Sequence, residues 1–354
     1  MALQIPPRSS ISSIPVARPN VLAGGAEAGL VSAIVPTYNR ASLVIDAVAS
    51  LSMQDYRNIE IIVVDDGSND ETLERLDEWG QNRPEVGLEV ISQPNSGVAT
   101  ARNAGLAKAK GEFIYFLDSD DLVLPDALPK LVDALEHTPD APFAVGRVSS
   151  EDMQGNPIKR DRVSRPMLST TSIFENQWLI NAALYRRTTL QKSGQFIEGL
   201  RNGEDSELRW RIVASNGTGI EVDADIAIHR HHNLGHLSLH KDSDGSAQSS
   251  IEASAALADW MDTHSASPQR MPLRRLASLA GLGIKAGAQG DDAARRKAFA
   301  LPGSLSRKTP VANKLIGLIG SPSSQSYYSL ALSLFKTGKI VRAQLAGFRR
   351  TLGL

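Results

Sequence analysis

The run Phe113-Ile114-Tyr115-Phe116-Leu117, followed at once by Asp118-Ser119-Asp120-Asp121, constrains this chain more than any other stretch. Five mostly apolar residues read as a buried strand. The three carboxylates that follow within four positions repel one another unless a cation stands among them, and hard divalent cations favour such oxygen ligands. In an extended chain Asp118 and Asp120 point to the same side, so both would face one ligand. An isolated Asp-x-Asp more often forms an acidic turn that caps a helix, here one expected from Pro125. This one is not isolated. The expectation is a strand end that holds a metal, and through the metal a phosphate.

The residues before it alternate between strand and helix patterns. Val31 to Val35 reads as a strand stopped by Pro36, and Val44, Ala47, Val48 and Leu51 then fall on one helical face. Glu60 to Val64 is a second strand, followed by Asp65-Asp66-Gly67. Ser68 and Glu71 have capping-box spacing and would open a helix carrying Leu73 and Leu76. Leu88 to Ile91 is a third strand, Gly97 to Ala109 a helix of small residues, and Phe113 to Leu117 the fourth strand. From Pro125, with proline in the first turn, Leu128, Leu131, Val132 and Leu135 share a helical face. Such alternation predicts a mostly parallel sheet with helices on both faces, and ligands in such sheets bind at the carboxyl ends of the strands. Three polar clusters stand at those ends: Pro36-Thr37-Tyr38-Asn39-Arg40, Asp65-Asp66-Gly67-Ser68 and Asp118-Ser119-Asp120. Further along, Asp205 to Ser215 reads as a helix and Glu221 to Ile228 as one or two strands.

With no cysteine, disulfides, thiolate metal sites and cysteine nucleophiles are excluded, which fits a reducing cytoplasm. The N-terminal 29 residues, rich in Pro, Ser, Ala and Gly, lack the basic flank and apolar core of a secretory signal and read as a disordered lead-in. No run of 18 apolar residues marks a transmembrane helix. Charge is distributed unevenly: Ala293 to Leu354 holds 11 Lys or Arg and no Asp or Glu, whereas the whole chain has a formal net charge of −1. Such a tail suits an anionic surface, a membrane before nucleic acid, for which no recognition motif is present.

Four strings in register, VSAIVPTYNR from Val31, IIVVDDGS from Ile61, ARNAG from Ala101 and FLDSDD from Phe116, resemble the family 2 glycosyltransferases of the GT-A fold. The resemblance covers roughly residues 30 to 240. It implies an α/β, Rossmann-like GT-A sheet that binds nucleotide-diphospho-sugars. The domain would span 30–245, after the lead-in of 1–29, with a basic helical C-terminal region of 246–354 appended. The implied activity is transfer of a sugar, with inversion, from a nucleotide-sugar (UDP-linked by expectation) to a carbohydrate or lipid-linked acceptor hydroxyl in cell-surface polysaccharide or glycolipid synthesis.

Carried across by position, the resemblance implies that Pro36, Thr37 and Tyr38 line the base pocket, with Tyr38 stacking on the base. Asp66 would accept a hydrogen bond from it, a task suited to an acceptor-only carboxylate. Arg102 would reach the nucleotide or its phosphates, or else pair with an acidic neighbour. Asp118 would contact ribose or metal, Ser119 would border the nucleotide-sugar, and Asp120 would ligate Mn²⁺ or Mg²⁺. In Asn202-Gly203-Glu204-Asp205, Asp205 would be the general base and Glu204 its support; by spacing alone Asp205 reads equally as a helix cap. Five of the seven histidines fall between His229 and His240. Within that stretch Arg230-x-His232 matches the family's Arg-x-His segment, though His229 replaces a usual aromatic and the extra His231 leaves the metal ligand open between His231 and His232. A polar His-rich connector loop is the plainer reading. Trp178 would stack on an acceptor sugar or, as large aromatics more often do, fill the core. The basic tail would lie on the inner face of the plasma membrane as an amphipathic helix or, the favoured reading, pack on the catalytic domain. Two rivals stand beside transfer: a nucleotidyltransferase, which lacks its usual basic Gly-rich loop here, and an inactive sugar-nucleotide-binding protein.

Overall fold

The computed structural model describes Leu22, residues 24–158, 165–168, 177–200 and 203–232, and Ala253 and Leu257. The basic C-terminal stretch, His236 and His240 lie outside the described residues. No helix among the described residues is long and apolar enough to cross a membrane.

Eight strands form one sheet in the order β3-β2-β1-β4-β7-β6-β8-β5. They are β1 (Glu27–Thr37), β2 (Ile59–Asp65), β3 (Leu88–Ser92), β4 (Gly111–Phe116), β5 (Leu122–Val123), β6 (Phe143–Asp152), β7 (Ala183–Arg186) and β8 (Ile220–His231). The helices are α1 (Ala41–Ser52), α2 (Thr72–Gln81), α3 (Val98–Lys108), α4 (Ala127–His137), α5 (Arg187–Ser193) and α6 (Glu204–Asn216). Strands β1 to β4 pair in parallel, as the alternation predicts. Beyond β4 the sheet turns mixed: β7 runs antiparallel to β4 and β6, and β5 antiparallel to β8.

The period of two along β1 divides the molecule. Val31, Ala33 and Val35 pack with Val44, Ala47, Val48 and Leu51 of α1 and with the buried face of α4. Ile34 points the other way, toward α3. A Cβ on Gly105 would stand 2.5 Å from Ile34 Cγ2, which is why α3 is built of small residues and can lie close on the sheet.

Several local expectations are corrected. Pro36 does not stop β1, which runs to Thr37 with Pro36 opposite Val64 of β2. The Asp66 N–H bonds Thr37 O on the β2 side, so alternation turns Pro36 toward β4, where the ladder has ended at Ile34 and Phe116. The missing proline N–H therefore breaks nothing. Ser68 does not cap α2: its Oγ accepts the Asn39 N–H at 2.8 Å, and Asp70 takes the Thr72 N–H at 3.0 Å instead. Leu73 is exposed while Leu76 is buried. Pro125 precedes α4, whose first residue is Ala127. Asp118 to Asp121 is a turn, closed by the Asp121 N–H to Asp118 O at 3.0 Å, so strand alternation does not orient the carboxylates. Finally, His229 to His231 belong to β8, a single strand paired with β6 through His231, and form no loop.

Candidate active site

The carboxyl ends of β1, β2 and β4 meet along one rim, since their registers set Thr37 beside Asp65 and Ile34 beside Phe116. At the end of β1, Tyr38 presents a side chain that is 45% exposed, unusual for a large aromatic and suited to a planar partner. Behind it the buried Thr37 hydroxyl has no hydrogen-bond partner among the described residues. At the end of β2, Asp66 is buried and clasped by the loop after β3. Its Oδ1 accepts from Gln93 Nε2 at 2.7 Å and the Ser96 N–H at 2.8 Å, and its Oδ2 accepts the Gly97 N–H at 2.8 Å. Gly67 permits this approach: its φ is +79°, and a Cβ there would stand 2.8 Å from Asn95 N. Three donors leave the carboxylate fixed with acceptor capacity remaining on Oδ2.

The turn after β4 carries Asp118, Ser119, Asp120 and Asp121. Ser119 is buried. Asp118 is partly exposed and takes Arg102 Nη2 at 2.7 Å. Asp120 is buried between Arg40 Nη1 at 2.7 Å and His232 Nε2 at 3.0 Å. Asp121 binds the turn to β8: its carboxylate meets His229 Nδ1 at 3.0 Å, the Arg230 N–H at 3.1 Å and Asn181 Nδ2 at 2.7 Å. Burial pushes the Asp121 carboxyl up to about 6, opposed by His229. The hydrogen bond with Asp121 lifts His229 to about 9.

Arg230 is a clamp. Its Nε donates to Asp120 O at 2.7 Å, its Nη1 to Asp46 of α1 at 2.7 Å, and its Nη2 to Leu43 O at 3.3 Å. Of the two histidines left open by the sequence, His232 faces Asp120. His231 packs edge-on against His229, ring centroids 4.9 Å apart.

Glu204 and Asp205 open α6 and have opposite surroundings. Glu204 is buried, its Oε1 taking Arg102 Nη1 at 2.9 Å. Its pKa is raised, first by burial and then by the Asp205 charge, against the pull of Arg102. The side chain of Asp205 is 32% exposed and lies 3.7 Å from Arg209 Nη2. Helix α6 is itself held by Arg211, which joins buried Glu207 at 2.6 Å and donates to Gln195 O at 2.8 Å. Trp178 is core: it is buried, its Nε1 donates to Tyr185 Oη at 2.8 Å, and its ring lies 4.5 Å from that of Phe143.

Among the described residues no three His, Cys, Asp or Glu side chains converge in a ready metal cage. The donor set nevertheless suits a hard cation bound by one or two carboxylates together with substrate phosphate oxygens. Asp120 and His232 are in contact, and Asp118 belongs to the same turn. Arg40 Nη1 lies on one oxygen of Asp120 at 2.7 Å, so a metal bound at that oxygen would have to displace the guanidinium.

Sequence reasoning alone missed Gln93, Arg40, Asp121 and Asn181. Arg40 and Asp121 lie inside motifs that the sequence singles out, whereas Gln93 lies in none of them. Asn181 carried no signal, since only the fold brings it to Asp121.

Comparison with known proteins agrees with this architecture. The glycosyl transferase family 2 pattern matches residues 32–195. An uncharacterized glycosyltransferase of Haemophilus influenzae is 34% identical over 162 residues, which are 46% of this chain and 64% of that protein. The chondroitin synthase of Pasteurella multocida is 41% identical over 99 residues, 28% of this chain and 10% of that protein. The chain thus spans less than two thirds of the length of either relative. Among solved structures, S. aureus TarS 1–349 in complex with UDP-GlcNAc superposes with a TM-score of 0.64 at 20% identity, covering 87% of this chain and 92% of that one. The mannosyltransferase PcManGT of Pyrobaculum calidifontis, in complex with GDP-Man and Mn²⁺, gives 0.51 at 21% identity, covering 91% and 87%. At such identities the likeness is one of fold, the GT-A fold. Residues 32–195, somewhat under half of the chain, thus match the glycosyl transferase family 2 model, and the relatives found are named glycosyltransferases.

Proposed function

We propose that the chain is an inverting, metal-dependent glycosyltransferase that moves a sugar from a UDP-linked donor to the hydroxyl of a carbohydrate or lipid-linked acceptor. The observation that carries this reading is the pairing of an accessible carboxylate, Asp205, with the acidic turn of β4 through the Arg102–Glu204 contact. The complex of TarS with UDP-GlcNAc supports a uridine donor, and the chondroitin synthase likeness supports a polysaccharide product.

In this reading Tyr38 stacks on the uracil and Oδ2 of Asp66 accepts its ring N–H. The acceptor oxygen attacks the anomeric carbon, its proton passes to Asp205, and the bond from that carbon to the β-phosphate oxygen breaks to release UDP. One displacement inverts the centre. A Mn²⁺ or Mg²⁺ ion, held by Asp120 with Asp118 and His232, would neutralise charge on the departing diphosphate. Proton removal by a positioned carboxylate contributes roughly 10²–10⁴-fold.

The test is release of nucleoside diphosphate from a panel of UDP-, GDP- and ADP-sugars, with Mn²⁺ and with EDTA. Metal-dependent turnover of UDP-sugars is expected. Consumption of added pyrophosphate to give nucleoside triphosphate and sugar 1-phosphate would instead point to a nucleotidyltransferase, and no turnover with intact binding to an inactive binding protein.

A further inference from the structure

Arg102 is a buried cation that stands between two carboxylates. The residue is 3% exposed; its guanidinium gives Nη2 to Asp118 at 2.7 Å and Nη1 to Glu204 at 2.9 Å, and lies over the Phe196 ring at 5.2 Å. The partners come from different elements: Asp118 from the end of β4, Glu204 from the first turn of α6. The next residue of α3, Asn103, reinforces the same junction. Its Nδ2 donates to Phe196 O at 2.9 Å and its Oδ1 accepts the Phe196 N–H at 3.0 Å. The base of this assembly is firm, because Gly105 one turn on lets α3 lie directly against Ile34 of β1.

Both terminal guanidinium nitrogens thus donate to carboxylates within the protein, while the buried Nε has no hydrogen-bond partner among the described residues. Burial works against the charge, but Asp118 and then Glu204 outweigh it and hold the pKa of Arg102 above its ordinary value. A group held this way is poorly placed to leave for a phosphate. Without it, Asp118 and Glu204 would lose the cation that joins them.

We propose that Arg102 is a positioning residue for the transfer step: it spans the donor-side turn and the start of α6, and so fixes Asp205 relative to the anomeric carbon. This rests on the transferase reading above and adds to it the device that sets the distance between base and donor. Misplacement of a reacting group by about 1 Å costs about 100-fold in rate. A lysine restores the charge but not the planar fork that reaches both carboxylates.

The test compares wild type with Arg102→Met, Arg102→Lys, Glu204→Gln and the Arg102→Met/Glu204→Gln pair. The readouts are the calorimetric Kd for UDP and kcat at saturating donor. The expected result is a UDP Kd within about threefold of wild type throughout and a kcat reduced about 100-fold in Arg102→Met. Arg102→Lys should recover part of that loss, and the double variant should be no slower than Arg102→Met. Intact UDP binding also certifies the fold of each variant, and Arg102→Lys and Glu204→Gln keep the test open where Arg102→Met does not fold. A UDP Kd raised tenfold or more with kcat unchanged would make Arg102 a donor contact and overturn the proposal. Fully additive losses in the double variant would overturn it as well. A wild type that neither binds nor turns over any nucleotide-sugar would sink the transferase reading together with this one, whereas an active wild type beside an equally active Arg102→Met would sink this one alone.

Discussion

Glu204 and Asp205 are chemically alike and adjacent, yet their surroundings assign them different work. Glu204 is buried on Arg102, while the side chain of Asp205 is partly exposed. On the proposed reading Asp205→Asn keeps shape and removes the base, so kcat should fall roughly 10²–10⁴-fold with UDP affinity unchanged, as steady-state kinetics and calorimetry would register. Tyr38 offers an equally clean separation because so much of it is exposed. Tyr38→Ala should weaken UDP binding about two- to tenfold without lowering the melting temperature, and Tyr38→Phe should restore binding. A drop in melting temperature with unchanged binding would make Tyr38 structural. At this scale the sequence was most legible where a motif is local. Tyr38, Asp66, Asp118 and Asp120 could be singled out because each follows a strand pattern. The choice between His231 and His232 could not be read, since it depends on strand alternation in β8 and on the clamp made by Arg230, whose partners lie as far as 187 positions away.

At the scale of elements, the four parallel strands and the buried faces of α1 and α4 were readable from periodicity alone. The ends of elements were not. Pro36 was misjudged because a proline is harmless on the side of a strand whose ladder has ended, and no sequence pattern shows which side that is. Ser68 was misjudged because its hydroxyl had two uses, and the loop after β1 took it. Asp70 serves the start of α2 and also accepts the Ala41 N–H of α1 at 3.3 Å. Burial raises its pKa, but the hydrogen bonds from Thr72 and Ala41 more than reverse this and leave it lowered. A lowered native pKa means that Asp70 stabilises the fold above its unfolded-state pKa and loses that contribution as pH falls through the native value. The stability advantage of wild type over Asp70→Asn, followed by urea unfolding, should therefore be present at neutral pH and shrink on acidification. An advantage that grew toward acid would contradict the assignment. The packing of α3 predicts a larger effect. Gly105→Ala drives a methyl into Ile34, and overpacking of this kind costs about 1–3 kcal/mol, visible as a lower urea midpoint.

For the whole molecule, sequence distance measures what had to be inferred from the fold. The mixed half of the sheet, with β7 and β5 reversed, carries no repeated pattern, and it is this half that brings β8 and its histidines against the acidic turn. Three clusters at the ends of β1, β2 and β4 were legible because parallel strands place all their carboxyl ends on one edge. In the proposed reading this edge, which carries Asp120, binds a nucleoside diphosphate together with a divalent cation. This reading is tested most directly by calorimetric titration of UDP and GDP, with Mn²⁺ and with EDTA, into wild type and Asp120→Ala. The account predicts binding of UDP that requires both the metal and Asp120. Binding that is indifferent to Mn²⁺ and to Asp120→Ala, or none in a folded wild type, would contradict it.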